Sequence, residues 1–457
     1  LPVGLHHLLE NKAGAALFCP LQAAPRHEKP MSSSPIALAD APEKAPFRRD
    51  PYAAFRHKSY RHFVLARVVF MIGSQMQTTA VGWQIYERLG SKLALAYVGL
   101  VQILPVLFLS VPFGHLSDRF NRKHIVMTGL GLFLLSSLGL ATVSHDQSDP
   151  HLIYVFLFLL AVARSLTMPA MGAMLPTLIP KTAWASATTW NSSVLELTGM
   201  AGPAVAGLVI AASRGATTVY LTAAGCSIAC LLIFSLLRPA QVIAPKKSTS
   251  WSDVLGGLRF VFKTRLLLSA ASLDLFAVLL GGATALLPVV AKDILHVGPV
   301  GFGWLQAAPS IGAISMAFVT AHLAPWRHAG RVLLGALTGF GLAIIVFGFS
   351  RNFWLSMSML VLTGVFDNLN VVIRQTLVQF ITPDEMRGRV TSVNFIFIGC
   401  SNQLGAFESG LTAQFFGTVP SIVGGGVGTL LVVLAVMKLS PPLHRLGRLH
   451  EIQPAPA

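Results

Sequence analysis

Charge is what this sequence has least of. Of its 457 residues only 11% are Asp, Glu, Lys or Arg, against about a quarter in an average soluble domain. A soluble fold of this size needs more ionisable surface than that. Cysteine is scarce too, with four residues, and that gives no disulfide framework. Cys226 and Cys230 stand four apart in one apolar stretch and Cys400 lies in another; small apolar packing residues are the expectation there. No G-x-x-x-x-G-K-S/T loop is present to cradle a nucleotide phosphate, and no cysteine–histidine cluster has metal-ligand spacing. The chain is therefore expected to use no ATP, metal or other cofactor, and to perform no soluble catalysis.

What is abundant is apolar surface: 53% of residues fall in the AVILMFWYC set and the mean hydropathy is +0.65. The 34 Lys and Arg outnumber the 18 Asp and Glu, for a formal charge of +16. In a soluble domain that balance would suggest nucleic acid. Here the basic residues form short clusters between long apolar runs, as a membrane protein needs to set its orientation, so no nucleic-acid partner is expected.

A lipid-spanning helix takes about 20 mostly apolar residues. Twelve windows qualify: 62–88, 92–113, 123–144, 151–176, 187–212, 217–237, 266–291, 299–323, 330–350, 353–380, 389–415 and 419–438. Their length and lack of strict alternation favour helices over a barrel. With the amino terminus placed inside, 23 Lys and Arg fall on the inner side and five, Arg88, Lys92, Arg214, Lys292 and Arg351, on the outer. This asymmetry and the even segment number put both termini in the cytoplasm of a multi-pass inner-membrane protein. The expected layout is a tail over 1–60, a six-helix bundle over 61–238, a linker over 239–265, a second bundle over 266–440 and a tail over 441–457. Residues 1–30, which precede Met31, read as dispensable. In the linker, Trp251, Val254, Leu258, Val261 and Phe262 recur at helical spacing beside Lys263 and Arg265, the pattern of an amphipathic helix on the inner membrane surface.

The halves repeat each other. Gly99, Gln102 and Pro105 form G-x-x-Q-x-x-P, and Gly303, Gln306 and Pro309 form it again 204 residues later. Pro180, Thr188 and Asn191 recur as Pro383, Thr391 and Asn394, offset by 203. Duplicated six-helix halves are the plan of many secondary transporters, with the substrate site between them near mid-membrane.

The stretch Gly114-His115-Leu116-Ser117-Asp118-Arg119-Phe120-Asn121-Arg122-Lys123 resembles the signature loop of the major facilitator superfamily, G-x-L-a-D-r-x-G-r-K/R, in its usual place between the second and third segments. Asn121 departs from the usual Gly, but Asn also tolerates left-handed dihedrals. A degenerate copy stands at His322-Leu323-Ala324 with Arg327 and Arg331. The runs Ser272–Phe276, Gly281–Pro288, Pro383–Val390 and Ser401–Gly410 resemble the branch of that superfamily that holds the bacterial enterobactin exporter. The resemblance implies an all-α membrane protein, twelve transmembrane helices in two pseudo-symmetric six-helix bundles, exporting against proton entry. It also implies that Gly114, Asp118, Arg119, Arg122 and Lys123 act with Arg387 and Arg389 as a gate. Asp118 precedes a helix amino terminus, whose dipole favours an anion, and the cations can pair with it or with lipid headgroups. Plain topology explains the basic residues but not the acid. Gly199–Gly207 with Pro203 looks like a loose exporter Gly-Pro motif, and tight packing explains it equally well.

Seven ionisable residues fall inside the apolar windows: Arg67, Arg164, Glu196, Asp274, Asp367, Arg374 and Glu408. Each would cost about +2.5 to +3.5 kcal/mol facing lipid at a helix centre, so each should face a cavity or a partner. Asp367 and Arg374 lie two turns apart on one face with Asn370 between them, which fits a salt-bridge network or a substrate site equally. Arg164 matches the arginine that the superfamily often carries in its fourth helix, and Arg67 can snorkel. Asp274 and Glu408 have no cation in their own helix and are the expected proton carriers. Gln75, Gln77, Gln102, Gln306, Asn368, Asn370, Asn394, Asn402 and Gln403 can line the cavity; with Arg164, Glu196, Asp367 and Arg374, the residues Gln102, Gln306, Asn370 and Asn402 are the substrate candidates. The expected function is a monomeric, proton-driven exporter of a siderophore or drug-like molecule, in contact with protons and lipid. An importer, a lysophospholipid transporter and a non-transporting sensor or scaffold of the same fold are the rivals.

Overall fold

The computed structural model describes residues 50–237, 251–322, 328–440, 443, 446 and 447. The expected dispensable segment 1–30, the first part of the linker, the degenerate loop around Leu323, Ala324 and Arg327, and most of the carboxyl tail lie outside the described residues. The side chains of Asp118, Asp384 and Glu385 do as well.

Each apolar window is a helix, because in lipid every backbone N–H must find its carbonyl within the segment. The first half holds α1 (Lys58–Leu89), α2 (Lys92–Arg119), α3 (Arg122–His145), α4 (Leu152–Leu178), α5 (Trp184–Ser213) and α6 (Thr217–Leu236). After α7 (Trp251–Lys263) the second half holds α8 (Arg265–Leu280), the short α9 (Leu287–Val289), α10 (Gly298–His322), α11 (Ala329–Phe349), α12 (Phe353–Ile381), α13 (Asp384–Phe416) and α14 (Thr418–Leu439). Among the described residues, ten segments are long and apolar enough to cross a membrane. The segments α1 and α13 are as long but more polar, and both border the interface between the halves. Glycine stops α1: Gly90 takes φ +58° and its N–H bonds to the Tyr86 carbonyl at 2.9 Å. The seventh window is a broken helix. At Gly281-Gly282 the α-helix gives way to short turns that run to Ile294, because α13 crosses there so closely that a Cβ on Gly282 would lie 2.5 Å from the Gly405 carbonyl oxygen.

The packing repeats. In the first half α1 packs on α5 and α6, α2 on α4, and α3 on α4 and α6; in the second, α8 packs on α13 and α14, α10 on α12, and α11 on α12 and α14. The halves join along two matching crossings, α2 with α13 and α5 with α10. The repeated G-x-x-Q-x-x-P explains the match. A Cβ on Gly99 would lie 2.6 Å from the Gln403 carbonyl, and one on Gly303 would lie 2.5 Å from the Pro203 carbonyl. Small residues of this kind let helices approach where lipid supplies no hydrophobic drive.

Three expectations change. Asn121 is not left-handed. It is extended (φ −62°, ψ 114°) and caps α3, its side chain accepting from the Lys123 amide at 3.0 Å. Asp118 belongs to the last turn of α2, four residues before α3 starts, so it does not sit at a helix amino terminus. Arg122 and Lys123 are committed to carbonyls. Arg122 donates to Ala173 of α4 at 2.7 Å, and Lys123 donates to Ser235 and Leu237 at the end of α6, both at 2.7 Å. Helix carboxyl ends leave carbonyls that a cation satisfies well. The linker helix α7 packs on α8 and α13, burying Phe260 and Val261 while Phe262 is 58% exposed.

Candidate functional site

A pocket of about 220 Å³ lies between the halves. The repeat brings Gln102 of α2 and Gln306 of α10 to it, joined by Gln75 of α1 and Gln403 of α13. Arg164 of α4 forms one polar wall, and Leu95, Val98, Leu157, Leu160 and Pro288 supply apolar surface. Thr284, Ala285 and Pro288 reach the pocket from the broken seventh segment. Arg164 Nη2 donates to the Ser74 carbonyl (3.1 Å), Ser74 Oγ (2.8 Å) and Thr78 Oγ1 (2.5 Å), and Nη1 donates to Gln102 Oε1 at 3.5 Å. Its Nε is buried without a partner. Ser74 and Thr78 escaped the sequence reading. Their signal was present as two hydroxyls one helical turn apart beside Gln75.

The second half holds a buried ionic network. Arg374 of α12 pairs with Asp274 of α8 at 3.2 Å, with the side chains only 4% and 7% exposed. Asn370 donates to Asp274 at 2.7 Å, and Arg374 donates to Asn394 of α13 at 2.5 Å. Asp274 has no cation in its own helix; its partner, Arg374, comes from another helix. Asp367, for which a salt-bridge network and a substrate site were equally expected, has no ion-pair partner within 4.0 Å among the described residues. Asp274, Arg374 and, from α5, Glu196 are the charges that act on it. Glu408 is half-buried on α13 and accepts from Ser409 Oγ at 3.3 Å. Arg67 is half-buried with an unpartnered Nε.

Other candidates are elsewhere. Asn402 is exposed and donates to the Ile398 carbonyl one turn back in its own helix at 2.8 Å, while its neighbour Gln403 lines the pocket. Gln77 accepts from Ser137 at 2.8 Å and joins α1 to α3. Arg387 and Arg389 lie on the first turns of α13; Arg387 donates to the Gln379 carbonyl at 3.5 Å and Arg389 approaches Met386 Sδ at 3.6 Å. Arg119 ends α2 and is exposed. A Cβ on Gly114 would meet nothing within 4 Å, so space does not require that glycine.

At the membrane face away from the signature loop, the halves are sealed. Tyr86 of α1 donates its hydroxyl to the Asp293 carboxylate, Lys292 lies over the Tyr86 ring at 5.7 Å, and the Trp83 and Phe302 rings stack at 5.5 Å. One buried apolar cluster runs unbroken from the first half through Leu286, Val290 and Phe302 into the second. The core of the second half near the loop face, with Phe260, Leu267, Ile373 and Val390, is a separate cluster. No motif or spacing marks this seal in the sequence, since the partners Tyr86 and Asp293 are 207 residues apart.

Comparison with known proteins agrees with this geometry. The family described as "transmembrane secretion effector", of the major facilitator group, matches residues 49–449. The multidrug efflux pump Tap of Mycolicibacterium fortuitum is 27% identical over 391 residues, covering 80% of this chain and 94% of that protein. The enterobactin exporter EntS of Citrobacter koseri is 26% identical over 406 residues, covering 88% and 95%. Among solved structures, a bacterial homologue of the human lysosomal transporter Spinster, inward-facing and unoccupied, superposes with a TM-score of 0.66 at 15% identity, covering 86% of this chain and 98% of that one. The nucleoside transporter NupG superposes with a TM-score of 0.62 at 13% identity, covering 84% and 99%. These two likenesses concern the fold.

Proposed function

Because this chain belongs to the transmembrane secretion effector family, we propose that it is a proton-coupled exporter of the bacterial inner membrane, carrying a siderophore or drug-like small molecule outward. The observation that carries the reading is the polar pocket between two repeat-related halves, sealed at the face away from the signature loop. A substrate held there is reached by rocking one half against the other, the movement that an alternating-access carrier makes. Outward direction is supported by the two exporters that resemble the chain over most of its length. The sorting of Lys and Arg supports a cytoplasmic signature loop and cytoplasmic termini.

Energy comes from protons, with no cofactor. Asp274 is fixed by Arg374 and Asn370, so Asp367, one turn from Asn370 and without a fixed counter-charge, is the carboxylate free to exchange a proton as Glu196 and the interface move. Glu408 serves as the second exchangeable group. The decisive experiment reconstitutes the protein in liposomes and imposes a pH difference, with a panel of drugs and siderophores as cargo. Everted vesicles acidified inside should accumulate cargo. Accumulation only when the vesicle interior is alkaline, with protons entering alongside the cargo, makes the protein a symporting importer, and no movement of any cargo under either gradient makes it a sensor or scaffold.

A further inference from the structure

We infer that the central pocket is a binding site for an aromatic organic anion, with the anionic group on Arg164 and the ring against α2 and α4; this rests on the transporter reading and names the cargo's chemistry. Arg164 is a cation with no carboxylate within 4.0 Å among the described residues. No Asp or Glu is among the residues that line the pocket. Every oxygen that touches the guanidinium is neutral: a carbonyl, two hydroxyls and an amide. A charge in such a medium is costly unless paired. The donors left over point to what completes it. Nη2 spends both protons on α1, Nη1 makes one long contact, and Nε is buried and unpartnered, so the guanidinium retains the donors for an acceptor of carboxylate or catecholate type.

The remaining walls set the rest of the ligand. Gln75, Gln102, Gln306 and Gln403 present amides from four helices, two in each half. Primary amides both donate and accept, and they favour oxygen-bearing groups without adding charge. Leu157 and Leu160 of α4 and Val98 of α2 form a flat apolar side. A cavity of about 220 Å³ has room for one substituted ring. The pocket therefore grips one ring-sized anionic moiety of its cargo. The acids Asp367 and Glu196 are absent from this lining, so a cation finds no partner in it.

Three probes of one shape test this: benzoate, benzamide and benzylamine, titrated at equilibrium against the purified full chain without any gradient. Benzoate should bind about tenfold tighter than either of the others, the size of one charge-assisted contact. In Arg164→Gln the three should bind within twofold of one another. In Gln306→Leu, which leaves Arg164 untouched, benzoate should weaken several-fold while its preference over benzamide survives. Benzamide or benzylamine binding as well as benzoate to the unaltered protein overturns the assignment, whether or not Arg164→Gln folds. So does a preference for benzoate that persists in Arg164→Gln. Benzoate binding as expected in a protein that exports nothing would sink the exporter reading and leave this site standing.

Discussion

Asp274 and Asp367 look alike in the sequence, each a lone acid in an apolar helix, yet their surroundings differ. Asp274 faces a guanidinium at 3.2 Å and an amide at 2.7 Å. Replacing it with Asn leaves Arg374 buried with no carboxylate partner, and breaking a buried pair from one side costs about 3 to 5 kcal/mol. Asp274→Asn should therefore lower the thermal unfolding midpoint of the detergent-solubilised protein by many degrees. Asp367→Asn breaks no ion pair, so its midpoint should stay near that of the parent, while substrate-driven proton movement in liposomes falls at least tenfold. A normal proton signal from Asp367→Asn would move the coupling to Glu408 or Glu196. The sequence placed Asp367, Asn370 and Arg374 correctly on one face of α12. It could not show which residue from another helix meets that face, so the choice between an ion-pair network and a substrate site stayed open until Asp274 was seen beside Arg374. The same limit applies to Asn402 and Gln403: both were visible as polar residues, and one residue of helical phase decides which reaches the pocket.

Eleven of the twelve windows lie along single helices, with ends within six residues of the helix ends. They do so because hydrocarbon thickness fixes segment length and the chain has little charge to blur the ends. The break in the seventh segment was not legible, since Gly281-Gly282 is compatible with a continuous transmembrane helix. Contact with α13 makes it a break. Gly282→Ala places a methyl 2.5 Å from a main-chain oxygen and 2.7 Å from Ser409 Oγ, and α13 cannot yield without moving Gly405. The variant should lose about 1 to 3 kcal/mol of stability, read as a lowered unfolding midpoint with insertion intact; an unchanged midpoint would mean that α8 and α13 are loosely packed. At the signature loop, Asn121→Ala removes a side-chain cap worth about 1 kcal/mol. Asn121→Gly, which costs an amino-terminal cap only a few tenths, should stay close to the parent in the same measurement. A Gly variant no more stable than the parent fits an extended capping residue; in a left-handed turn Gly would raise the midpoint above that of the parent.

The whole molecule carries information that the chain order hides. The seal at the far face joins Tyr86 to Asp293 and Trp83 to Phe302, and no repeat or motif marks them. Tyr86→Phe keeps the ring under Lys292 and removes only the hydroxyl that the Asp293 carboxylate accepts. The sealed arrangement should be less favoured by about 1.5 to 3 kcal/mol, the worth of a hydrogen bond to a charged group. In a background with its native cysteines replaced, a cysteine at position 403 should then react faster with a membrane-impermeant thiol reagent added at the far face. Unchanged labelling would show that the aromatic stack alone holds the seal.

The two glycine crossings that join the halves have a mechanical consequence. At Gly99 and again at Gly303 main chain bears on main chain, so at these two points little side chain stands between the helices. Helices in such contact tilt over one another without changing a rotamer, whereas knobs seated in holes must first be lifted out. The line through the two crossings is an axle, placed by the gene duplication itself, and rocking about it is the motion with least friction. The work of switching then falls on the seal at the far face and on whatever clasps the loop face, while the axle stays seated throughout the cycle.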